Sequence, residues 1–262
     1  MTSPGSNLLL SALSPPTRDS LLSRATPVEL PFGTTLYEPG TAPRYGYFLL
    51  AGLASIVVVT PDGASVEITM AGNEGVVGSL HLLGPASLPT RCTMQLSGAA
   101  LRVPHMHLQT QLHSSAELRQ VLLAYIQTQA ATVSQISACN RVHSAEQRLI
   151  RWLLMAADKT GLDTLKFTQE YLAQMIATQR PTVTVIALDL QQRGLIQYSR
   201  GTIRITNRAG LEAGVCGCYA VIRSLNPVLY QLNAGGTQRT GEAQLSSSSH
   251  ASGITSAAGS TE

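Results

Sequence analysis

The sequence predicts an α+β chain in three successive parts: a small β-sandwich or barrel, one long helix, and a winged helix-turn-helix. Three observations predict it. Between Thr26 and Met106, short strand-like runs alternate with turns that contain Gly, Pro or Asn. From Ser114 to Asn140 there is no Pro or Gly, and the apolar period becomes helical. From Phe167 to Thr206, a helix, a tight turn, a second helix and a hairpin follow one another. The chain has 262 residues, 44% of them hydrophobic, enough to build real cores and to expect two domains rather than one.

The elements follow in order. Residues 1–19, rich in Ser, Pro and Leu, read as a flexible leader. With no basic residue before Arg18, they do not read as a secretory signal. Residues 20–113 form the β domain. Tyr45 to Leu50 and Leu53 to Thr60 are joined at Ala51-Gly52, and Pro61-Asp62-Gly63 turns the chain into Ala64 to Met70. Ala71-Gly72-Asn73 turns again, and Cys92 to Leu96 and Ala99 to Val103 add two strands.

Residues 114–140 are a helix about 40 Å long. Leu118, Leu122, Tyr125, Gln129, Thr132, Ile136 and Cys139 step alternately by four and three, as in a coiled-coil seam. Val121, Ile126 and Val133 lie beside that seam, so the helix has two surfaces to bury. Leu118, Leu122, Tyr125, Gln129 and Ile136 are therefore expected to pair two copies of the chain. A further helix, Ala145 to Ala157, ends at Lys159-Thr160-Gly161, with the basic residue and glycine that a helix C-terminus favours.

Within residues 141–215, Thr168 is a good N-cap and Glu170 suits the positive end of the helix dipole. Ala177-Thr178 makes the turn, and Pro181 fits the first turn of the second helix. Val183, Ile186, Ala187 and Leu190 face inward; Arg180, Thr184 and Asp189 face outward. Gly194 stops the helix, and Ser199-Arg200-Gly201 joins the strands of a wing. Such a helix can enter the major groove of duplex DNA, its N-terminal end favouring phosphate. Thr168, Gln169, Gln179, Arg180, Pro181, Thr182, Thr184 and Val185 are expected to meet DNA from the two helices, and Arg200 and Arg204 from the wing. Charge agrees. From Asp163 to Gly210, six basic residues (Lys166, Arg180, Arg193, Arg200, Arg204, Arg208) face three acids (Asp163, Glu170, Asp189), whereas Ser20 to Asn140 carries five Arg against six acids.

The stretch FTQEYLAQMIATQRPTVTVIALDLQQRGLIQYSRGTIRIT resembles the helix-turn-helix and wing of the Crp/Fnr transcription regulators. YGYFLLAGLASIVVVTPDGASVEITMAGNEGVVGSLHLLG resembles their cyclic-nucleotide-binding-like β-roll, and the helix between resembles their dimerisation helix. The resemblance covers about residues 25 to 215. It implies a jelly-roll-like sensor β-roll, a dimerisation helix and a C-terminal winged helix-turn-helix. It also implies a homodimer on double-stranded DNA with a near-palindromic operator, and RNA polymerase as a further partner.

Departures from the family matter as much. Members that bind cyclic AMP use a Gly-Glu pair and an Arg-Ser pair; here these read Gly78-Ser79 and Arg91-Cys92. The Thr-Ser pair that meets the adenine is Val133-Ser134. Gly78, Ser79, Arg91, Cys92 and Ser134 remain the candidate effector pocket, for a signal other than cyclic AMP. No cysteine precedes Cys92, so the N-terminal iron–sulfur cluster of other members is not expected. The family's recognition-helix pattern keeps only its first arginine, Arg180, and the family's turn glycine is Ala177.

Weaker signals remain. His105 and His107 on a β-barrel raise an alternative, a cupin-like metalloenzyme, but no carboxylate follows them between Leu108 and Leu112. Cys216-Gly217-Cys218 offers two soft ligands, too few alone for a closed zinc site; they are either buried cysteines of a helix over residues 216–230 or part of a redox or metal centre. Residues 231–262, rich in Ser, Gly, Ala and Thr, read as a disordered tail. No nucleotide-binding loop, nucleophile elbow or other catalytic constellation is visible, no membrane span is long enough, and no cofactor or metal ligand set is expected. A non-enzymatic cytoplasmic regulator is the expectation.

Overall fold

The computed structural model describes residues 5–231 apart from 62, 64, 85 and 86, with side chains to 225. The chain opens on two short helices, α1 (Leu8–Ser11) and α2 (Pro15–Leu22). Asn7 caps α1, accepting from Leu10 N at 3.1 Å, while its buried amide donates to Leu49 O at 3.0 Å and Gly75 O at 2.8 Å. Leu9, Leu10, Leu13 and Leu21 are buried. This corrects the flexible leader expected for 1–19. Four leucines and a doubly bonded amide fix it from Asn7 onward, while residues 1–4 lie outside the described residues.

The β-roll comprises β1 (Thr26–Leu30), β2 (Thr35–Tyr37), β3 (Tyr45–Leu49), β4 (Leu53–Val59), β5 (Ser65–Ala71), β6 (Thr90–Leu96) and β7 (Gly98–Pro104). The strands form two antiparallel sheets, ordered β2-β6-β4-β5 and β1-β7-β3. Leu30, Leu36, Leu49, Ala54, Cys92, Met94 and Ala100 fill the space between them. Gly63 takes φ +86°, as its turn requires.

Helix α3 (His105–Ser114) leads into α4 (Ala116–Val142), capped by Ser115. Here a prediction fails. Leu118, Leu122, Tyr125 and Ile136, expected to pair two chains, are 2–6% exposed inside their own chain. Leu118, Val121, Leu122, Tyr125 and Ile126 pack with the leader leucines and with Phe48, Val76 and Val103 of the roll. Gln129, half-buried, donates to Tyr125 Oη at 2.7 Å. The 4-3 spacing is real, but the same chain covers that stripe: the β-roll and leader take its first half, and Ile136 and Cys139 pack against the C-terminal helices. The opposite stripe, Gln120, Leu123, Gln127, Ala130, Ser134 and Ser137, is exposed.

The reader follows. Helix α5 (Ala145–Thr160) starts in a capping box between Ser144 and Gln147 and ends at Gly161, φ +69°. Then come β8 (Thr164–Lys166), α6 (Gln169–Met175), α7 (Arg180–Gln192), β9 (Ile196–Ser199), β10 (Thr202–Ile205), α8 (Arg208–Gly214) and α9 (Cys218–Gln231). The wing is three-stranded, β8-β10-β9; the sequence pattern missed the short edge strand β8. Helix α9 packs chiefly on α4 and also on α5. The tail expected beyond it, from 232 on, lies outside the described residues. Among the described residues no helix is long and apolar enough to cross a membrane.

Candidate nucleic-acid interface

Thr168 caps α6 by accepting from Tyr171 N at 3.2 Å. The helix ends in a Schellman arrangement: Thr178 N donates to Ala173 O at 2.9 Å and Ala177 N to Gln174 O at 3.4 Å. That closure forces Ala177 to φ +51°, the left-handed region where a Cβ is strained. The turn delivers α7, whose N-cap Gln179 makes no side-chain capping bond, so its first amides have no capping side chain in front of them.

Helix α7 is sharply two-sided. Val183, Ala187 and Leu190 are buried in the reader's core. Gln179, Arg180, Pro181, Val185, Leu188 and Asp189 face outward, with Val185 67% and Leu188 54% exposed. Thr182 is half-buried, and Thr184 Oγ1 donates to Gln169 Oε1 at 2.8 Å, tying the two helices' polar residues together. Leu188 was not picked out from the sequence, although it lies three residues beyond Val185, on the same face. The wing turns on a two-residue loop with φ +47° at Arg200 and +76° at Gly201, the left-handed pair of a type I′ hairpin. Arg200 and Arg204 stay exposed, as does Arg180. Arg193, by contrast, is committed to Glu146 at 2.5 Å and Asp189 at 3.0 Å, and Arg208 to Asp158 and Glu212.

The reader is docked on the roll. Glu67 of β5 accepts from Trp152 Nε1 at 2.6 Å, from Ser55 Oγ at 2.5 Å and from Gln95 Nε2 at 2.8 Å. Burial pushes its carboxyl up to about 7, against the pull of those donors and of Arg151. Lys159 of α5 pairs with Glu74 of the roll, both nearly buried. Gln174 of α6 donates to Ser65, and an open cleft between them is lined by Ser65, Glu170, Gln174, Gln179 and Arg180.

Within one chain, the described residues expected to form an effector pocket sit in unlike surroundings. Gly78 takes φ +92° and Ser79 is buried behind it. Arg91 is half-buried and paired with Glu38 at 2.7 Å. Cys92 is fully buried between the sheets. Ser134 lies on the outer stripe of α4, donating to Ala130 O at 3.0 Å. Between roll and helix stands Tyr125, whose ring lies so close to Gly75 that a Cβ there would fall 2.0 Å from it.

The histidine pair of the cupin alternative also separates. His105, buried, starts α3, whereas His107 is half-buried, its Nε2 3.3 Å from Ser20 O. A different group does converge: Cys139, His143, Cys216 and Cys218 offer ligand atoms all within 4.8 Å of one another. No metal ligand set was expected from the sequence, and His143 was not singled out. Its signal is the Cys139-x-x-x-His143 spacing, one helical turn on the same face.

Comparison with known proteins agrees with this architecture. The model of the cyclic nucleotide-binding domain family matches residues 27–115, and that of the Crp-like helix-turn-helix domain family matches residues 147–213. The chain is 23% identical over 195 residues to a CRP-like cAMP-activated global transcriptional regulator of Mycobacterium tuberculosis, covering 72% of this chain and 87% of that protein. It is 24% identical over 189 residues to the global nitrogen regulator of Synechococcus elongatus, covering 69% and 85%. A putative transcriptional regulator of the crp/fnr family from Eubacterium rectale superposes with a TM-score of 0.63 at 16% identity, over 78% of this chain and 96% of that one. FixK2 from Bradyrhizobium japonicum gives 0.62 at 14% identity, over 73% and 98%.

Proposed function

The chain belongs to the Crp/Fnr family of transcription regulators, and from that premise we propose that it reads a near-palindromic operator as a homodimer. The observation that carries this reading is the division of α7: its apolar face is spent on the reader's own core, while Arg180, Val185 and Leu188 stand free beside uncapped amides. Arg180 can fork onto a guanine edge, and Val185 and Leu188 offer apolar contact to thymine methyl groups. Thr168, Gln169, Gln179, Pro181, Thr182 and Thr184 border that face, and Arg200 and Arg204 neutralise phosphates from the wing.

Two copies pair through the outer stripe of α4, with Leu123, Gln127, Ala130 and Ser134 against their equivalents. Leu123 is 47% exposed in a single chain. Two-fold pairing places the readers on half-sites about one helical turn apart. The β-roll biases the reader through the joint at Glu67, Lys159 and Gln174; its signal is not cyclic AMP. RNA polymerase is the partner such a dimer meets when it activates. Genome-wide mapping of bound DNA, followed by mobility shifts on the recovered sites, tests the reading. A set of sites with no shared two-fold sequence would overturn it.

A further inference from the structure

The four ligand-type residues stand where the chain's parts meet. Cys139 and His143 lie one turn apart at the C-terminal end of α4, His143 being its C-cap. Cys216 comes from the other side, in the short link between α8 and α9, and Cys218 is the first residue of α9. Three of the four are buried and His143 is half-buried. Cys139 Sγ lies 3.6 Å from Cys216 Sγ, and Cys218 Sγ lies 3.5 Å from His143 Nδ1. With zinc–sulfur bonds of about 2.3 Å and zinc–nitrogen bonds of about 2.0–2.1 Å, the edges of a tetrahedron are about 3.8 Å between sulfurs and about 3.6 Å between sulfur and nitrogen. Two of the six edges already stand at about that spacing, and all four ligand atoms lie within 4.8 Å of one another.

The surroundings supply an independent argument. Arg151 is 1% exposed, yet its guanidinium forms no ion pair among the described residues. Its contacts are Asn140 Oδ1 and Met155 Sδ, both at 3.4 Å, and its Nε has no hydrogen-bond partner. Its charge acts on Cys139 and on Glu67, but Glu67 is already held by three other donors. A buried cation without a counter-charge is strongly destabilising. A divalent ion held by three thiolates and one neutral imidazole carries a net charge of −1, which Arg151 offsets. Gln135 Nε2 donates to Cys218 Sγ at 3.1 Å, the kind of outer bond that fixes a thiolate ligand.

We infer that Cys139, His143, Cys216 and Cys218 form a tetrahedral site for Zn2+, which clips the link between α8 and α9 to the end of the long helix. Thiolate and imidazole select a soft or borderline ion, and four ligands without an open position mark a structural rather than a catalytic site. Binding releases three thiol protons, one from each cysteine. The site is separate from the base-reading face and does not depend on the operator reading.

The test uses the full chain, produced with zinc supplied and purified under reducing conditions without chelator. Elemental analysis should give about one zinc per chain, and X-ray absorption three sulfurs at about 2.3 Å with one nitrogen at about 2.0–2.1 Å. Cobalt exchanged into the chain should show sulfur-to-metal charge transfer and the strong visible bands of a tetrahedral ion. Cys216→Ser and His143→Ala should lose the metal, whereas Cys92→Ser should retain it. Arg151→Met should weaken zinc affinity by about 10–100-fold, the range of outer-shell changes. If Cys216→Ser does not fold, wild-type stoichiometry and the cobalt spectrum decide alone. Metal-free wild type with no cobalt band would overturn the inference. So would iron with acid-labile sulfide, or a Cys139–Cys216 disulfide as the native state.

Discussion

Trp152 Nε1 donates a 2.6 Å hydrogen bond to Glu67 Oε1, joining the first helix of the reader to a strand of the β-roll. Trp152 is the chain's single tryptophan, so its fluorescence reports on this joint directly. Burial raises the Glu67 carboxyl from 4.5 to about 7 in the folded protein. A carboxyl with a raised folded pKa binds its proton more tightly when folded. Its contribution to stability is therefore complete below pH 4.5 and is lost as pH rises through about 7, on the order of 3 kcal/mol across that window. Tryptophan fluorescence should titrate with a midpoint near 7, and Glu67→Gln should remove that transition. An unchanged titration in Glu67→Gln would show that another group is responsible.

Ala177 holds φ +51° without the glycine that this turn favours. Relief of the Cβ strain, offset by the greater freedom of glycine in the unfolded chain, leaves Ala177→Gly more stable by about 0.5–1 kcal/mol. Thermal denaturation checks this. A lower melting temperature than wild type would mean that the strain is absorbed elsewhere.

Arg180→Ala should cost about 1–3 kcal/mol on a mapped operator and relax preference at one base position. Arg204→Ala should instead weaken binding to every sequence and flatten the salt dependence by about one unit of slope. The two are separated by titrating matched and mismatched operators at several salt concentrations. Equal behaviour of the two variants would refute the assigned docking.

Neighbouring residues on α4 should behave oppositely. Leu123 faces outward and Leu122 inward, 3% exposed. Leu123→Glu should give a folded monomer with weak operator binding, whereas Leu122→Glu places a charge in the chain's own core and should cost several kcal/mol of stability. Light scattering and circular dichroism read the two outcomes. A dimeric Leu123→Glu variant would move the two-fold axis away from this stripe.

Cyclic AMP should not bind in the low micromolar range. Arg91 is already paired with Glu38, Ser79 offers no carboxylate to a ribose, and Tyr125 packs against Gly75 between roll and helix. Losing one charge-assisted and one neutral hydrogen bond weakens affinity by roughly 100-fold or more. Calorimetric titration measures it, and tight binding with a matching gain in operator affinity would reverse this view of the roll.

The reader was the most legible part of the sequence because its signals are local. Thr168 at the cap, Pro181 in a first turn and Gly194 at a helix end each act within a few residues, and their elements form where those signals place them. The face of α4 was not legible. Two apolar stripes ran side by side, and periodicity gives their spacing without saying what covers each. The leader misled for a related reason: Asn7 finds its acceptors at Leu49 and Gly75, far along the chain. Cys139 and Cys216 are separated by 77 residues, so a pair of cysteines and a lone one read as unrelated until the fold brings them together.

The two-sidedness of α7 bears on how such a regulator changes its targets over time. Its inward residues answer to folding, and in the proposed reading Arg180, Val185 and Leu188 answer to DNA, while half-buried Thr182 and Thr184 lie between the two. Substitutions at Arg180, Val185 and Leu188 can therefore accumulate without eroding the scaffold. A duplicated copy is free to drift toward a new set of genes while keeping its ancestral signal. The same separation makes the outer face a place to install a chosen operator preference in an artificial genetic circuit.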